Sequence, residues 1–223
     1  MATKRQRSDK RADALSKERI VEAAIEILDR DGERALTFRA LAARLSTGSG
    51  ALYWHVADKD ALLAAASDAV VGRVMAKVES GAEPREAIRA IALGIFDAID
   101  AHPWVGQHLS REPGQPATLQ LFESIGGRLR PLGVPERARF DAWSALVNYI
   151  LGAARQNAEN ARGHSGEPDR TTLLASMAAR WAQLDADRHP FLRQVAAQLA
   201  HHDDRAQFLA GIDLILAGVV TAR

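Results

Sequence analysis

"LTFRALAARLSTGSGALYWHVADKDALL", residues 36 to 63, is the stretch on which the fold turns. Phe38, Leu41, Ala42 and Leu45 recur at helical spacing, and Thr37 stands where a side chain can cap the first turn. They predict a helix of about two turns. In Ser46-Thr47-Gly48-Ser49-Gly50 a glycine can supply a sharp bend, and a second short helix is expected over roughly 49 to 55. That second helix carries Tyr53, Trp54 and His55 side by side. Consecutive side chains cannot share one face of a helix, so at least one ring meets water or a partner. Upstream, Ser16 can cap a first helix with Glu18 in its first turn, Ile20, Val21, Ala24, Ile25 and Leu28 form its apolar side, and Asp31-Gly32 stops it. Two short helices joined by a tight turn, after a longer supporting helix, describe a helix-turn-helix.

Downstream, Asp58 can cap a fourth helix reaching about Val78, with Leu62, Leu63, Ala66, Val70 and Val74 along one side, before Ser80-Gly81-Ala82-Glu83-Pro84 breaks it. The N-terminal unit is complete near residue 60, which predicts a helix-turn-helix domain over 15–60 and a second helical domain over 61–223. Further helices are expected at about 85–100, 115–130, 136–158, 171–184, 189–200 and 204–221, with residues 161–170 as a loop. Strict alternation is rare and alanine abundant, so the chain reads as all-α, a three-helix unit followed by a helical bundle. The segment from Phe140 to Ala154 is apolar nearly all round, and the last helix interleaves Phe208, Leu209, Ile212, Ile215, Leu216 and Val219 with Gly211, Ala217 and Gly218. One reading is an antiparallel pair packed against its copy in a homodimer, with Leu146, Ile150, Ile212, Ile215, Gly218 and Val219 at the interface. The other is an intrachain core.

The formal net charge of +1 is uninformative, but its distribution is not. Between Arg34 and Ala57 the chain carries Arg34, Arg39, Arg44 and His55 and no acidic residue, a locally basic stretch. Residues 1–14 read as a disordered basic arm, with Lys4, Arg5, Arg7, Lys10 and Arg11 and no apolar run to fold around. The absence of cysteine excludes disulfides, thiolate metal sites and cysteine nucleophiles. No apolar run approaches the roughly 20 residues of a membrane span, and the N-terminus lacks a signal-peptide core, so a cytoplasmic protein is expected with no membrane partner. Motifs of serine hydrolases, phosphate-binding loops and zinc proteases are missing, and His102, His108, His164, His189, His201 and His202 show no i, i+4 metal pairing. No cofactor or metal is implied. An enzyme built on the C-terminal helices is the alternative class.

Residues 17–75 resemble the TetR family of bacterial transcriptional regulators, and most closely its tetracycline-repressor branch. The resemblance rests on the Leu-Tyr-Trp-His-Val run, the lysine three residues after it and the following Ala-Leu-Leu. It extends more loosely through "HPWVGQHLSREP" (102–113), "LGAA" (151–154) and "FLAGIDLILAGV" (208–219). The resemblance implies a ligand-responsive repressor that grips a palindromic double-stranded operator as a homodimer and lets go when a small molecule binds. A DNA-binding regulator without a ligand is the alternative. The resemblance makes Tyr53 and Lys59 backbone contacts, and gives Trp54 and His55 the task of fixing the short helix in the major groove. Arg39 takes the guanine-reading position, where a guanidinium fork suits two acceptors. Thr37 caps a helix whose N-terminus faces phosphate. Thr47-Gly48 departs from the usual start of the recognition helix. Small Ser49, Gly50 and Ala51 make base readout thin, so specificity rests on Arg39, Ser49 and DNA shape.

For the effector, the expected pocket wall combines Phe96, Trp104, His108 and Phe122 with Trp143, Asn148, Tyr149 and Gln156. By the same resemblance His108 matches a histidine that holds a magnesium–tetracycline chelate. Gln156, Met75 and Arg111 stand where an acidic residue, a second histidine and a threonine would complete that site. A hard cation wants anionic oxygen, and Arg111 would repel it. Magnesium–tetracycline is therefore not the expected effector; a mostly apolar molecule bearing an acceptor group is. The operator sequence and the regulated genes are not legible.

Overall fold

The computed structural model describes residues 15–79, 81–111, 113–163 and 170–221. The expected basic arm at 1–14 lies outside them, as do residues 164–169 of the expected loop. The described residues are helical throughout, with no strand among them. We number the helices α1 (Lys17–Asp31), α2 (Phe38–Arg44), α3 (Ser49–Leu52), α4 (Lys59–Ala76), α5 (Pro84–Ala101), α6 (Pro103–Arg111), α7 (Pro116–Leu129), α8 (Glu136–Gly163), α9 (Arg170–Ala182), α10 (Pro190–Leu199) and α11 (Asp204–Thr221). A 3-10 turn, Glu33–Ala35, separates α1 from α2. None of these helices is long and apolar enough to cross a membrane.

Packing divides the chain into two compact units, and the divisions fall at Arg73/Val74, Pro103/Trp104 and Gln120/Leu121. The first unit holds the helix-turn-helix. Three side-chain caps set its helix starts: Ser16 Oγ accepts the Arg19 N–H at 3.3 Å, Thr37 Oγ1 that of Ala40 at 3.1 Å, and Asp58 Oδ1 that of Ala61 at 2.7 Å. Each cap satisfies a backbone donor that the first turn leaves open. Between these starts the apolar side of α1 is buried, together with Leu36, Leu41, Leu52 and Val56. Burying a side chain of this size contributes about 1.5–3 kcal/mol.

Two local expectations are corrected. The bend between α2 and α3 is made by Ser46, at φ 51°, and not by a glycine; Gly48, at φ −82°, is the residue before α3. The recognition helix is also shorter than 49–55: it ends at Leu52, whose carbonyl takes the N–H groups of both His55 (2.9 Å) and Val56 (3.0 Å) in a closing turn. As a packing unit, the first one runs on to Arg73 and takes in Trp104–Gln120, because α6 buries Val105 and Leu109 and the Trp104 indole donates to Asp29 of α1 at 2.8 Å.

The second unit is built on α5, α8 and α11, which pack on one another. Glu83 caps α5 by accepting from Arg85 N (3.0 Å) and Glu86 N (3.2 Å), and Pro84 occupies a first-turn position where no N–H is needed. Ile88, Ile91, Ile95 and Ile99 of α5 are fully buried, as are Leu146 and Ile150 of α8 and Ile212 and Leu216 of α11. Gly211 permits the closest approach: a Cβ there would strike the Tyr149 hydroxyl and ring, and that hydroxyl donates to the Phe208 carbonyl at 3.2 Å. Helices α9 and α10 pack mainly on each other as a hairpin, with Ala178 and Ala196 as their buried residues.

Candidate nucleic-acid interface and effector cavity

The basic stretch seen in the sequence becomes one exposed surface. Thr37, Arg39, Ser49, Gly50, Tyr53, Trp54 and His55 are exposed, and Ala51 and Lys59 are half-buried. Tyr53 keeps 58% of its surface accessible while its ring stacks on Phe38, with centroids 4.4 Å apart and planes 4° from parallel. That stack braces the end of a four-residue helix against the first helix of the motif. Phe38, half-buried, belongs to the apolar repeat of its helix; its second task is to hold Tyr53.

Trp54 is 90% exposed and so contributes little packing within the chain. Lys59 is not a loose cation: its Nζ donates to the Glu33 carbonyl at 2.7 Å, which ties the start of α4 to the 3-10 turn and leaves two further N–H donors on the ammonium. Arg39 has no ion pair among the described residues, whereas Arg44 pairs with Glu26 on α1. Of the two arginines on α2, Arg39 therefore offers an uncommitted guanidinium fork.

Expected pocket residues are found in two of the cavities within the described residues. Phe96, Tyr149 and Gln156 line a cavity of about 230 Å³ within the second unit. Sequence reasoning missed the rest of its wall, which comes from Ala153, Asn157 and Asn160 of α8, from His202 just before α11, and from Asp204, Gln207 and Phe208 at its start. Phe208 packs against both Phe96 (4.6 Å) and Tyr149 (5.5 Å). Burial raises the Tyr149 hydroxyl above its ordinary pKa. Asp204 is engaged by Arg170 and by His202 Nε2, the latter at 2.9 Å.

Trp104 and His108 belong to the first unit, where they line a separate cleft of about 220 Å³ with Glu33, Asp60, Leu63 and Arg111. There Arg111 faces Glu33 at 3.5 Å. Phe122 and Trp143 meet edge to face at 5.0 Å, and Asn148 is exposed, donating to Ser144 at 3.2 Å.

The expected dimer residues also separate. Leu146, Ile150 and Ile212 are fully buried within the single chain, so they form its core and cannot face a partner. Ile215 and Val219 are half-buried and Gly218 exposed, while Leu214, not singled out from the sequence, is 75% exposed. The reason is helical phase. Phe208, Ile212 and Leu216 recur every four residues on the inner side, and Ala210, Leu214 and Ala217 fall on the outer one.

A braced short helix after a tight turn, an adjoining uncommitted arginine and a separate helical bundle with a cavity define a helix-turn-helix DNA-binding regulator. Residues 20–66 match the family described as bacterial regulatory proteins, tetR family, and residues 80–223 match the tetracyclin repressor-like C-terminal domain. The chain belongs to the TetR family of transcriptional regulators, which are not enzymes. Over 92% of its length it is 35% identical to an HTH-type transcriptional regulator of Saccharopolyspora erythraea, of which the match covers 87%. It is 28% identical to the class D tetracycline repressor protein of Escherichia coli, across 92% of this chain and 88% of that one. Among solved structures it is similar to SCO7222, a TetR from Streptomyces coelicolor, with a TM-score of 0.85 and 49% identity over 93% of this chain and 98% of the other.

Proposed function

We propose that the protein is a ligand-responsive repressor. It binds a two-fold operator as a homodimer in the cytoplasm and releases it when a small molecule enters the second unit. The observation that carries the DNA-binding reading is the surface formed by Arg39, Ser49 and stacked Tyr53, exposed together on a stretch without acidic residues. Phosphate contacts from Tyr53 and Lys59 set the register, with Trp54 and His55 seating the helix and the Thr37-capped end of α2 toward phosphate. Arg39 reads a guanine, and the small Ser49, Gly50 and Ala51 leave the rest of specificity to DNA shape. Residues up to about 60 read DNA, and the remainder binds effector and partner. The outer face of α11 around Leu214, Ile215, Gly218 and Val219 supports the dimer reading, since a 75%-exposed leucine beside small residues suits a close helix–helix contact. Two half-sites then lie about 34–36 Å apart, one helical turn of DNA.

Magnesium–tetracycline is not the effector in this reading. Gln156 and Met75 stand where the resemblance to the tetracycline repressor puts an acidic residue and a second histidine, and neither offers the anionic oxygen or imidazole that would complete a magnesium–drug site. Titration of tetracycline and magnesium against protein fluorescence checks this: tight magnesium-dependent binding that releases DNA would overturn it. The function as a whole is tested by selecting genomic fragments with purified protein at moderate salt. An enriched inverted repeat supports it, and enrichment no better than random DNA refutes it. A regulator that ignores ligands would select the same fragments yet show no thermal stabilisation across a compound panel.

A further inference from the structure

We infer that the cavity between α5, α8 and α11 takes a neutral molecule of one or two rings bearing several hydroxyl or carbonyl groups. This rests on the reading of the protein as effector-responsive and names the effector's chemistry.

Size comes first. At about 230 Å³ the cavity lies below the roughly 300–1,000 Å³ of sites for drug-sized ligands, which favours one or two rings over a large polycyclic molecule. Charge comes next. Among the described residues no lysine or arginine lines it, and its histidine, His202, is already paired with Asp204, so an anion finds no open ion-pair partner there. The one carboxylate that lines it among the described residues, Asp204, is already engaged by Arg170 and His202, so a cation finds no uncompensated charge. Burying an unpaired ion costs far more than burying a hydroxyl that finds a partner.

The wall then sets the polarity. Gln156, Asn157, Asn160 and Gln207 place four amides around the aromatic faces of Tyr149 and Phe208. Each amide carries both donors and acceptors, which matches hydroxyl and carbonyl groups and wastes an all-hydrocarbon ligand. Asn157 donates to Asp100 at 3.0 Å, which orients that amide, whereas Gln156 and Gln207 make no side-chain hydrogen bond among the described residues. The cavity is thus more polar than the mostly apolar ligand expected from the sequence would need. The α8 segment looked apolar only as far as Ala154; its polar continuation forms the rim.

Five probes of similar size test the inference on the full-length protein by calorimetry and thermal shift at pH 6: thymidine, 6,7-dihydroxycoumarin, naphthalene-2-sulfonate, 2-naphthylmethylamine and naphthalene. Thymidine or dihydroxycoumarin is expected to bind at least tenfold tighter than the other three. That advantage is expected to fall at least tenfold in Gln156→Ala/Gln207→Ala, two rim positions whose exposure lets the fold survive, as circular dichroism verifies. Equal binding of all five, tightest binding of naphthalene or a charged probe, absence of binding, or binding unaffected by the double substitution overturns the inference. Operator release is read in parallel. If a hydroxylated probe binds through Gln156 and Gln207 without loosening the operator, the ligand chemistry stands and the effector reading falls. If a cell extract releases the operator equally from wild type and double variant, the effector reading stands and this cavity is excluded.

Discussion

Substituting Gly211→Ala probes the contact that joins α8 and α11 in the second unit. In an exposed helix interior this change stabilises by about 1 kcal/mol, because alanine loses less backbone entropy. Here the new methyl group would occupy the space of the Tyr149 hydroxyl and ring, and the ring cannot slide freely because it stacks on Phe208 at 5.5 Å and 10°. Overpacking of this kind costs about 1–3 kcal/mol. Displacing the ring also breaks the bond from the Tyr149 hydroxyl to the Phe208 carbonyl, worth about 0.5–1.5 kcal/mol. The predicted net effect is a loss of about 1–3 kcal/mol, opposite in sign to the intrinsic preference. Tyr149→Leu, which shortens the obstructing side chain, is predicted to cost stability alone yet to rescue Gly211→Ala, with a coupling of about 1 kcal/mol or more. Urea unfolding at one fixed protein concentration measures wild type and the three variants, since the proposed dimer would make stability concentration-dependent. A neutral or stabilising Gly211→Ala, or strict additivity with Tyr149→Leu, would refute the close approach.

Arg39→Ala is expected to weaken operator binding by about 1–3 kcal/mol and to relax preference at one base position; a uniform loss across all sequences in a selection assay would make Arg39 a phosphate contact instead. Gly50→Ala meets no atom of the chain within 4 Å and should raise stability by up to about 1 kcal/mol. If it also lowers DNA affinity, DNA is what occupies the space beside Gly50, and unchanged affinity would remove that glycine from the interface. Trp104→Phe keeps an aromatic side chain but removes the donor to Asp29 and part of the buried indole, which should cost about 1–3 kcal/mol of stability, read by urea unfolding. In Tyr53→Phe the remaining tyrosine is Tyr149, so tyrosinate absorbance should titrate with a midpoint above the ordinary value near 10. Its folded pKa is raised, so its contribution is intact below the unfolded value and is lost as pH rises through the folded one; a midpoint at or below the ordinary value would contradict its burial.

Short-range signals were the legible ones. Ser16, Thr37 and Asp58 cap the helices they were expected to cap, because a capping bond involves residues two or three apart. Helix α11 spans 204–221 as its apolar repeat implied. Helix α6 was not expected, since its apolar residues are few. Pro103 at its first position was the available signal. Ser46 in the left-handed region was hidden by two nearby glycines that looked better suited to the bend. The cavity was harder still, because Gln156 and Gln207 meet across 51 residues of sequence and no periodicity relates them. On α11 both the inner stripe of Phe208, Ile212 and Leu216 and the outer stripe around Leu214 are apolar, so pattern alone could not assign core and partner faces.

The most direct test of the DNA-binding account is a fluorescence-anisotropy titration of the best genomic fragment from selection, against a shuffled fragment of equal length in the same salt. The account predicts at least about 10³-fold tighter binding to the selected fragment, saturating at two chains per inverted repeat. Equal affinity for both fragments would contradict it.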